Sequence, residues 1–579
     1  MKLSGTTASP GIVHGLAVVY EKPDLTIGER EPDSVDAEAS RLRAAATTAV
    51  QELKELQDAV RGRLGDEFAH IFRSQQTIAE DDAILGEVVE ALQAQPIPAE
   101  KALTHVFQTY TAMFDELSDD DYNKSRGADI HDVYQRILRI LLGVPEVTLA
   151  RVQPGSIIVA KDLLPSDTAT MDVTNVKGIV TAQGGPTSHV AILARNLGIP
   201  AAVAVPQVCE QVEDGMEIGL DATDPLHADV YIGPTADETR RLDERDELYR
   251  IRTERSATYA GRKPLTRDGH EVEFSVNVGA TEELAAAVAT GVQSIGLYRS
   301  EFLFLNSARL PDEERQFNAY RAAAEQFSGG YVVIRTLDIG GDKQIPGMAL
   351  PAEENPFLGN RGIRLCLSQP ELFRVQLRAI LRASAFGEIR IMFPMVSGLP
   401  EVEEALELLS QEREKLREQG IPYDDRMQTG VMIEVPSAVF LSDELAQRVD
   451  FFSIGTNDLT QYILASDRLN HTVARYYRQY DPSVFRAIRQ VVESAHRYGR
   501  WVGVCGELGG DPRAVPALLG LGVDELSMSA SSVAEATFSV CTDSYEGMKH
   551  IAGLVTGAST DTEVASILAE HYTQKEQNA

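Results

Sequence analysis

With 579 residues, the chain exceeds what one hydrophobic core organises, and its length predicts about two to four domains. Apolar residues make up 43% of the composition, which excludes an intrinsically disordered chain. The formal net charge of −33 argues against nucleic acid or an anionic membrane surface as a general partner.

The opening segment MKLSGTTASPGIVHG lacks the apolar stretch of a secretory signal, and no apolar run approaches the roughly 20 residues of a membrane span. The four cysteines lie far apart, without the spacing of a metal site. We therefore expect a protein of the reducing cytoplasm with no membrane partner.

Residues 1–29 combine β-rich runs with Ser, Pro and Gly, which predicts short strands and turns. Over 30–147 apolar residues recur every three or four positions among charged ones, the pattern of amphipathic helices. The β pattern returns over 148–233, in runs such as GSIIVA and PAAVAV. We therefore predict an all-helical block inserted into a discontinuous α/β domain, followed by a charged helical linker at 234–262.

The remaining residues, 263–579, alternate strand candidates with segments of helical periodicity. The eight candidates cover residues 272–279, 294–299, 331–338, 389–396, 430–436, 450–458, 501–507 and 525–529. Eight alternating β/α units over about 300 residues are typical of a (β/α)8 barrel. The predicted fold is multidomain α/β, with a C-terminal TIM-type barrel.

Active sites of such barrels lie at the carboxyl ends of the strands, where this sequence places several charged residues. Arg299 and Arg335 come late in predicted strands, and Arg468 follows another in the loop ASDRLN. Arg361 and Arg364 of GNRGIR add to this set. Guanidinium groups in a cluster suit a phosphate or carboxylate, so we predict an anion site.

The same predicted rim carries two acids, an amide and a thiol. Glu434 and Asp458 lie on neighbouring strands and can share one hard divalent ion, which indicates Mg²⁺. Asn457 can hydrogen-bond a substrate oxygen. Cys505 is a candidate general acid because a thiol can release a proton near neutral pH.

A titratable group of another kind lies in the motif GGPTSHVAILARNLGIP. Thr187 or Ser188 is a suitable N-cap and Gly198 a suitable C-cap, so the motif predicts a helix over 188–197. His189 then lies in the first turn, where helix N–H groups favour an anion. An imidazole there can carry a phosphoryl group. Because His189 and the barrel lie in different predicted domains, a mobile connection is required.

These motifs resemble those of the phosphoenolpyruvate-utilising enzymes. GGPTSHVAILAR is similar to the phosphohistidine motif of that family. The similar barrel motifs are GLYRSEFLF, RTLDIGGDK, NPFLGNRGIR, VMIEVPSA, FFSIGTNDLTQYILASDR and CGELGGDP. The length, the opening SPGIVHG and the helical insertion resemble the enzyme I branch, which serves bacterial phosphoenolpyruvate–sugar phosphotransferase systems. The resemblance covers nearly the whole chain.

The resemblance implies that His189 takes the phosphoryl group from phosphoenolpyruvate on Nε2 and passes it to the carrier protein HPr. It implies roles for the rim residues as well: substrate binding by Arg299, Arg335, Asn457, Asp458, Arg468 and Arg361, Mg²⁺ binding by Glu434 and Asp458, and proton donation by Cys505. It further implies that HPr docks on the helical insertion, that the phosphohistidine domain swivels and that the barrel forms a homodimer.

Two alternatives stay open from the sequence. A pyruvate-phosphate dikinase or phosphoenolpyruvate synthase would use the same histidine and barrel, but it would need a nucleotide-binding domain, and no glycine-rich phosphate loop is visible before His189. A non-catalytic docking or regulatory protein is the other alternative, and the complete set of site residues argues against it.

Overall fold

A computed structural model describes the chain except for residues 22–24, 65, 117–120, 146–148, 150–151, 164–166, 169–170, 186–187, 224–226, 280, 306–309, 341–352, 469, 471–472 and 579. For some residues within helices, His189 among them, the description covers the backbone alone. The chain divides into two compact units, residues 1–252 and 253–579.

The first unit contains a closed barrel of seven strands. These are β1 (Lys2–Ser9), β2 (Ile12–Tyr20), β3 (Ser156–Ala160), β4 (Val176–Thr181), β5 (Ala201–Val203), β6 (Glu217–Asp221) and β7 (Ala228–Ile232), in the order β1-β5-β4-β3-β2-β6-β7. Strands β2 to β5 pair in parallel, whereas β1, β6 and β7 pair antiparallel with their neighbours. The α/β character predicted for this part of the chain is confirmed.

Between β2 and β3 the described residues form five helices, as the periodicity predicted. They are α1 (Val35–Leu64), α2 (Asp66–Ala79), α3 (Asp82–Ala94), α4 (Ala99–Glu116) and α5 (Asp121–Leu142). Their apolar faces meet in one core that includes Leu42, Leu53, Leu103 and Phe107. At its edge, the buried carboxylate of Glu38 accepts hydrogen bonds from Arg30 and Arg41, which offsets the cost of its burial.

Three further helices of the first unit lie in the residues that the structure describes. They are α6 (His189–Leu197), α7 (Val208–Gln211) and α8 (Ala236–Ala257), and α8 runs into the second unit. Helix α8 is strongly charged and largely exposed, as predicted for the linker segment.

The second unit is built around a closed barrel of eight parallel strands. These are β8 (Glu273–Val278), β9 (Ile295–Arg299), β10 (Tyr331–Arg335), β11 (Glu388–Phe393), β12 (Thr429–Ile433), β13 (Phe451–Ile454), β14 (Trp501–Val504) and β15 (Glu525–Met528). Each strand pairs with the next along the chain, and β15 closes the barrel on β8. The predicted TIM-type barrel is confirmed.

Helices between and after the strands cover the barrel. They are α9 (Leu284–Ala289), α10 (Glu301–Leu305), α11 (Glu313–Gln326), α12 (Ile363–Ser368), α13 (Pro370–Ala383), α14 (Leu399–Glu418), α15 (Pro436–Phe440), α16 (Ser442–Ala446), α17 (Thr456–Leu464), α18 (Pro482–Arg497), α19 (Val515–Gly520), α20 (Val533–Cys541), α21 (Tyr545–Gly557) and α22 (Asp561–Asn578). Their buried faces and the outward faces of the strands form the largest core of the molecule.

Most of the barrel strands end earlier than the sequence predicted, whereas β9 ends at Arg299 as predicted. The sixth was expected to reach residue 458, but β13 ends at Ile454, and Asn457 and Asp458 belong to the first turn of α17. Glu434 and Cys505 each follow their strand by one residue. The chain turns at these points because the polar side chains must leave the apolar barrel wall and face the rim.

Within the described ranges, no helix is long and apolar enough to cross a membrane.

Candidate active site

Apolar side chains fill the interior of the eight-stranded barrel. This inner cluster consists of Leu297, Tyr331, Val333, Met392, Met432, Phe451 and Cys505, with Trp501 packed against it. Inward-facing residues fill barrels of this kind in layers, so the interior is a packed core and not a channel. Polar side chains that follow the strands are therefore confined to the carboxyl-terminal rim.

Arg335, the last residue of β10, is buried at this rim between two carboxylates. Its Nη2 donates to Glu301 Oε1, and its Nη1 lies 3.0 Å from Asp338 Oδ2. Burial alone would lower the pKa of Arg335, but the two carboxylates outweigh burial and hold this pKa above its ordinary value. Its Nε has no hydrogen-bond partner among the described residues. The Nε–H thus remains available to a ligand.

Arg361 connects two strand ends. Its guanidinium donates to both carboxylate oxygens of Asp338 at 3.0 Å and to those of Asp458 at 3.1 and 3.3 Å. Burial would lower the pKa of Arg361, yet the two aspartates raise it. Gly340 leaves room for this loop, since a Cβ there would lie 2.5 Å from the Asn360 carbonyl oxygen. The structure thus brings Arg361 into the predicted arginine cluster.

The other predicted arginines differ in their partners. Arg299, at the end of β9, is paired in register with Arg335, and its guanidinium forms no ion pair or hydrogen bond within the part of the chain that the structure describes. Arg468 Nη1 lies 3.7 Å from Asp458 Oδ2. Arg364 instead donates to the carbonyls of Leu358 and Gly359, so it supports its own loop. An unpaired guanidinium beside a buried paired one favours an anionic ligand.

Glu434 is fully buried behind the arginines. Its Oε1 accepts a hydrogen bond of 2.6 Å from the Met395 backbone N–H, and its Oε2 has no partner among the described residues. Burial, reinforced by the nearby carboxylates of Asp458 and Asp338, raises the pKa of Glu434 to about 8.

The surroundings of Glu434 hold it in place. Met395 adopts a left-handed backbone conformation, with φ of 58°, in which its N–H points at the carboxylate. Gly455 provides the space opposite, because a Cβ there would lie 2.8 Å from Glu434 Oε2. The Met395 N–H thus holds Oε1 of Glu434, and the absence of a side chain at Gly455 leaves room for Oε2.

The donor set at this position fits a hard divalent cation. The unpartnered Oε2 of buried Glu434 and the carboxylate of Asp458 are oxygen ligands of the type that such ions prefer. No group of three or more His, Cys, Asp and Glu side chains that could hold a metal is found among the described residues. A cation held here would therefore take further oxygens from a substrate or from water.

Cys505 and Asn457 lie close to this carboxylate set. The Cys505 thiol is buried, and its Sγ lies 3.7 Å from the Ile454 carbonyl oxygen. Burial raises the pKa of this thiol to about 12, although Ser453 and Arg335 lower it in part. The thiol therefore carries its proton at neutral pH, as a general acid must. Asn457 Oδ1 accepts from the Glu507 N–H at 3.0 Å, so its amide N–H₂ is the group left to donate to a ligand.

His189 begins helix α6 in the first unit, as predicted. Ser188 is the N-cap, since its hydroxyl accepts from the Ala191 N–H at 3.4 Å, and Gly198 ends the helix in the left-handed conformation with φ of 65°. Pro186, Thr187 and the imidazole of His189 lie outside the described part of the structure. Arg195 donates to the Ala8 carbonyl at 3.2 Å and so ties the helix to β1.

Two contributors to the rim were not anticipated. Met395 acts through its backbone, so no side-chain pattern marks it. Asn277 on β8 donates to the Cys505 carbonyl oxygen at 3.1 Å. A lone amide in the apolar run VEFSVNVG could have identified it.

Comparisons with known proteins match every part of this architecture. The sequence profiles that match are "PEP-utilising enzyme, N-terminal" over residues 4–126, "PEP-utilising enzyme, mobile domain" over 152–224 and "PEP-utilising enzyme, PEP-binding domain" over 253–543. Three similar relatives bear the name phosphoenolpyruvate-protein phosphotransferase. The Bacillus subtilis (strain 168) protein is 40% identical over 99% of this chain and 100% of its own. The Geobacillus stearothermophilus protein is 41% identical over 98% of this chain and 98% of its own. The Staphylococcus carnosus (strain TM300) protein is 40% identical over 99% of this chain and 99% of its own.

Proposed function

This chain belongs to the family of phosphoenolpyruvate-protein phosphotransferases, and from that premise we propose that it phosphorylates itself on His189 Nε2. Phosphoenolpyruvate is the donor, pyruvate is released and the carrier protein HPr is the acceptor. This is the first step of a sugar phosphotransferase system. The observation that carries the proposal is the buried cluster of Arg335, Arg361, Asp458 and Glu434 above the Cys505 thiol.

Arginines hold the substrate in this proposal. Arg299 and the unpartnered Nε of Arg335 offer donors to the phosphate and carboxylate groups. Arg468 and Arg361 add positive charge from the side of Asp458. Asn457 donates its amide hydrogens to a substrate oxygen. Three of these four guanidinium groups are paired with rim carboxylates, so Arg299 is the one whose charge is left for a small trianion within the described residues.

Bond changes follow from these positions. His189 Nε2 attacks the phosphorus, and the bond between phosphorus and the enol oxygen breaks with its electron pair on that oxygen. The Cys505 thiol gives its proton to C3 of the resulting enolate, which becomes the methyl group of pyruvate. The thiolate regains a proton from solvent. The phosphoryl group on His189 then meets the N–H groups at the start of α6.

Glu434 and Asp458 would hold the divalent ion, which we propose to be Mg²⁺. When bound, the ion neutralises charge on the phosphate and enolate oxygens. Asp458 is shared in the structure between Arg361 and Arg468, so these arginines balance its charge. Glu434, in contrast, has only a backbone donor.

Further parts of the proposal concern the whole chain. We assign the phosphohistidine domain to 1–29 and 148–233, the HPr-binding helices to 30–147, the linker to 234–262 and the substrate-binding, dimer-forming barrel to 263–579. The profile matches for the mobile and substrate-binding domains support this division. The reaction requires that His189 and the barrel site meet, so the linker must permit motion. A cytoplasmic location agrees with four cysteines that form no disulfide.

A dikinase or synthase, and equally a non-catalytic docking protein, is not favoured. The relatives that match this chain over nearly their whole length are named as protein phosphotransferases. The site residues of the proposal are all present in this chain.

The amount of pyruvate released with and without HPr tests the proposal. Purified protein with phosphoenolpyruvate and Mg²⁺ should release about one pyruvate per chain and then stop. Addition of HPr should restart pyruvate release, with one phospho-HPr formed per pyruvate. Formation of ATP from AMP, pyrophosphate and phosphoenolpyruvate, with release of pyruvate and phosphate, would instead identify a dikinase. Continuous pyruvate release without formation of phospho-HPr would contradict the proposal that HPr is the acceptor.

A further inference from the structure

Asn277 bridges three strands of the barrel at the point where β14 ends. It lies near the end of β8, and the strand order β14-β15-β8 places β15 between it and Cys505. Its Nδ2 donates to the Cys505 carbonyl oxygen at 3.1 Å. Its Oδ1 accepts from the Ser527 hydroxyl of β15 at 2.6 Å. Both ends of the amide are thus engaged inside the barrel.

The Cys505 carbonyl and the Ser527 hydroxyl together hold the orientation of this amide. The Ser527 side chain is fully buried, and its hydroxyl serves as the donor to Oδ1. Because Oδ1 is engaged in this way, Nδ2 faces the Cys505 carbonyl oxygen. If the amide turned over, Oδ1 would face the Cys505 carbonyl oxygen, which can only accept, so the orientation with Nδ2 at that carbonyl is the one that keeps both hydrogen bonds.

The two peptide groups that flank the Cys505 Cα are therefore both held. The Cys505 N–H donates to the Ile454 carbonyl at 3.1 Å, from the β13 side. The Cys505 carbonyl accepts from Asn277, from the β8 side. Two fixed peptide planes determine the direction of the Cα–Cβ bond between them, and so limit where the thiol can lie.

The residues after Cys505 reinforce this constraint. A Cβ at Gly506 would overlap Thr456 Oγ1 and lie 2.7 Å from the Thr456 backbone nitrogen, so the turn packs tightly on α17. The Glu507 N–H donates to Asn457 Oδ1 at 3.0 Å. These contacts come from the β13 side, which leaves Asn277 as the counterpart on the β8 side.

We propose that Asn277 is a positioning residue that aims the Cys505 thiol at one face of the enolate. This inference rests on the proposed function, in which Cys505 supplies the proton. The enolate C3 is planar, and a fixed donor forms the new C–H bond on one face with the thiol proton. A misdirected thiol would let the enolate leave, and water would then protonate either face.

Stereochemistry at the methyl carbon tests this inference. The substrate is phosphoenolpyruvate carrying one ²H and one ³H at C3 in a single geometry, turned over in ordinary water with Mg²⁺ and HPr. The wild-type full chain should give a chiral methyl group of one configuration. Asn277→Ala should give a largely racemic methyl group while His189 is still phosphorylated. A role in folding alone would not change the configuration ratio.

Matched variants make the outcome decisive. Asn277→Asp keeps the acceptor for Ser527 but loses the donor to Cys505, so its product should also carry a largely racemic methyl group. This variant replaces Asn277→Ala in the test if Asn277→Ala does not fold. Asn318→Ala, on the exposed surface of α11, should keep one configuration. Suppose that Cys505→Ala gives a racemic methyl group but both Asn277 variants give one configuration. That result would overturn the positioning role of Asn277 and leave the proton-donor role of Cys505 intact. One configuration from Cys505→Ala would overturn the proton-donor role and the inference with it.

Discussion

At the scale of single residues, the rim separates arginines that stabilise the fold from those available to a ligand. Arg335 is buried between Glu301 and Asp338 and pairs with both carboxylates. Arg299, its neighbour in register, has no side-chain partner among the described residues. Stability and substrate binding should therefore respond differently to the loss of each side chain.

We expect Arg299→Ala to raise the KM for phosphoenolpyruvate by about 10- to 100-fold, which corresponds to one or two charge-assisted hydrogen bonds. The melting temperature should stay within about 1–2 °C of wild type, because no ion pair is broken. Arg335→Ala should in addition destabilise the barrel by about 3–5 kcal/mol, since buried Glu301 loses the guanidinium it pairs with and buried Asp338 keeps only Arg361. Steady-state kinetics and thermal unfolding measure both effects. Equal loss of stability in the two variants would contradict this division.

A second residue-scale prediction concerns Glu525, the first residue of β15 and far from the rim. It is fully buried, accepts from the Ser275 hydroxyl, and has no partner for Oε2 among the described residues. Burial, together with Glu273, raises its pKa from 4.5 to about 8. The folded barrel keeps this proton when the unfolded chain has lost it, so this residue costs stability progressively as pH rises from about 4.5 through about 8.

Glu525→Gln removes that titration. Relative to wild type, the variant should gain stability between pH 5.5 and pH 8.5, by the order of 1–3 kcal/mol. Unfolding followed at both pH values measures the difference. A stability difference independent of pH would show that Glu525 does not titrate in this range.

At the scale of elements, the sequence predicted which segments form strands better than where they end. Residues such as Val431 and Ile433 are buried in a parallel barrel, so the strands appear as apolar runs. The position where β13 ends depends on Gly455 packing beside Glu434, a contact between distant parts of the chain. The left-handed Met395 and the pairing of Arg361 with Asp458 depend on tertiary contacts as well. The types of residue at the predicted strand ends were enough to predict the chemistry of the site. The geometry of the site could not be predicted in the same way, because it depends on contacts between distant parts of the chain.

Helix α6 offers a prediction at the same scale. Ser188 caps it through a hydrogen bond to the Ala191 N–H. Ser188→Ala should destabilise the helix by about 1 kcal/mol, whereas Ser188→Thr should retain most of the cap. Hydrogen exchange of amides 190–194 measures the effect, with an expected acceleration of about fivefold in the alanine variant alone. Unchanged exchange in Ser188→Ala would mean that the cap contributes nothing.

At the scale of the whole molecule, the two compact units divide the proposed chemistry. Residues 1–252 contain His189, and residues 253–579 contain every proposed substrate and metal ligand. The second unit has its own closed barrel and its own core. We expect residues 253–579, produced alone, to fold and to bind phosphoenolpyruvate with Mg²⁺ in a calorimetric titration, yet to release no pyruvate. Absence of binding by a folded barrel would place part of the substrate site elsewhere.

The central claim is that phosphoenolpyruvate bound at the barrel rim phosphorylates His189. The most direct measurement incubates the full chain with phosphoenolpyruvate and Mg²⁺ and maps acid-labile phosphate by mass spectrometry under neutral conditions. One phosphoryl group is expected on His189 and none in the His189→Ala variant, and the label should be lost when HPr is added. Phosphate on another residue, or none on a chain that binds phosphoenolpyruvate, would contradict the central claim.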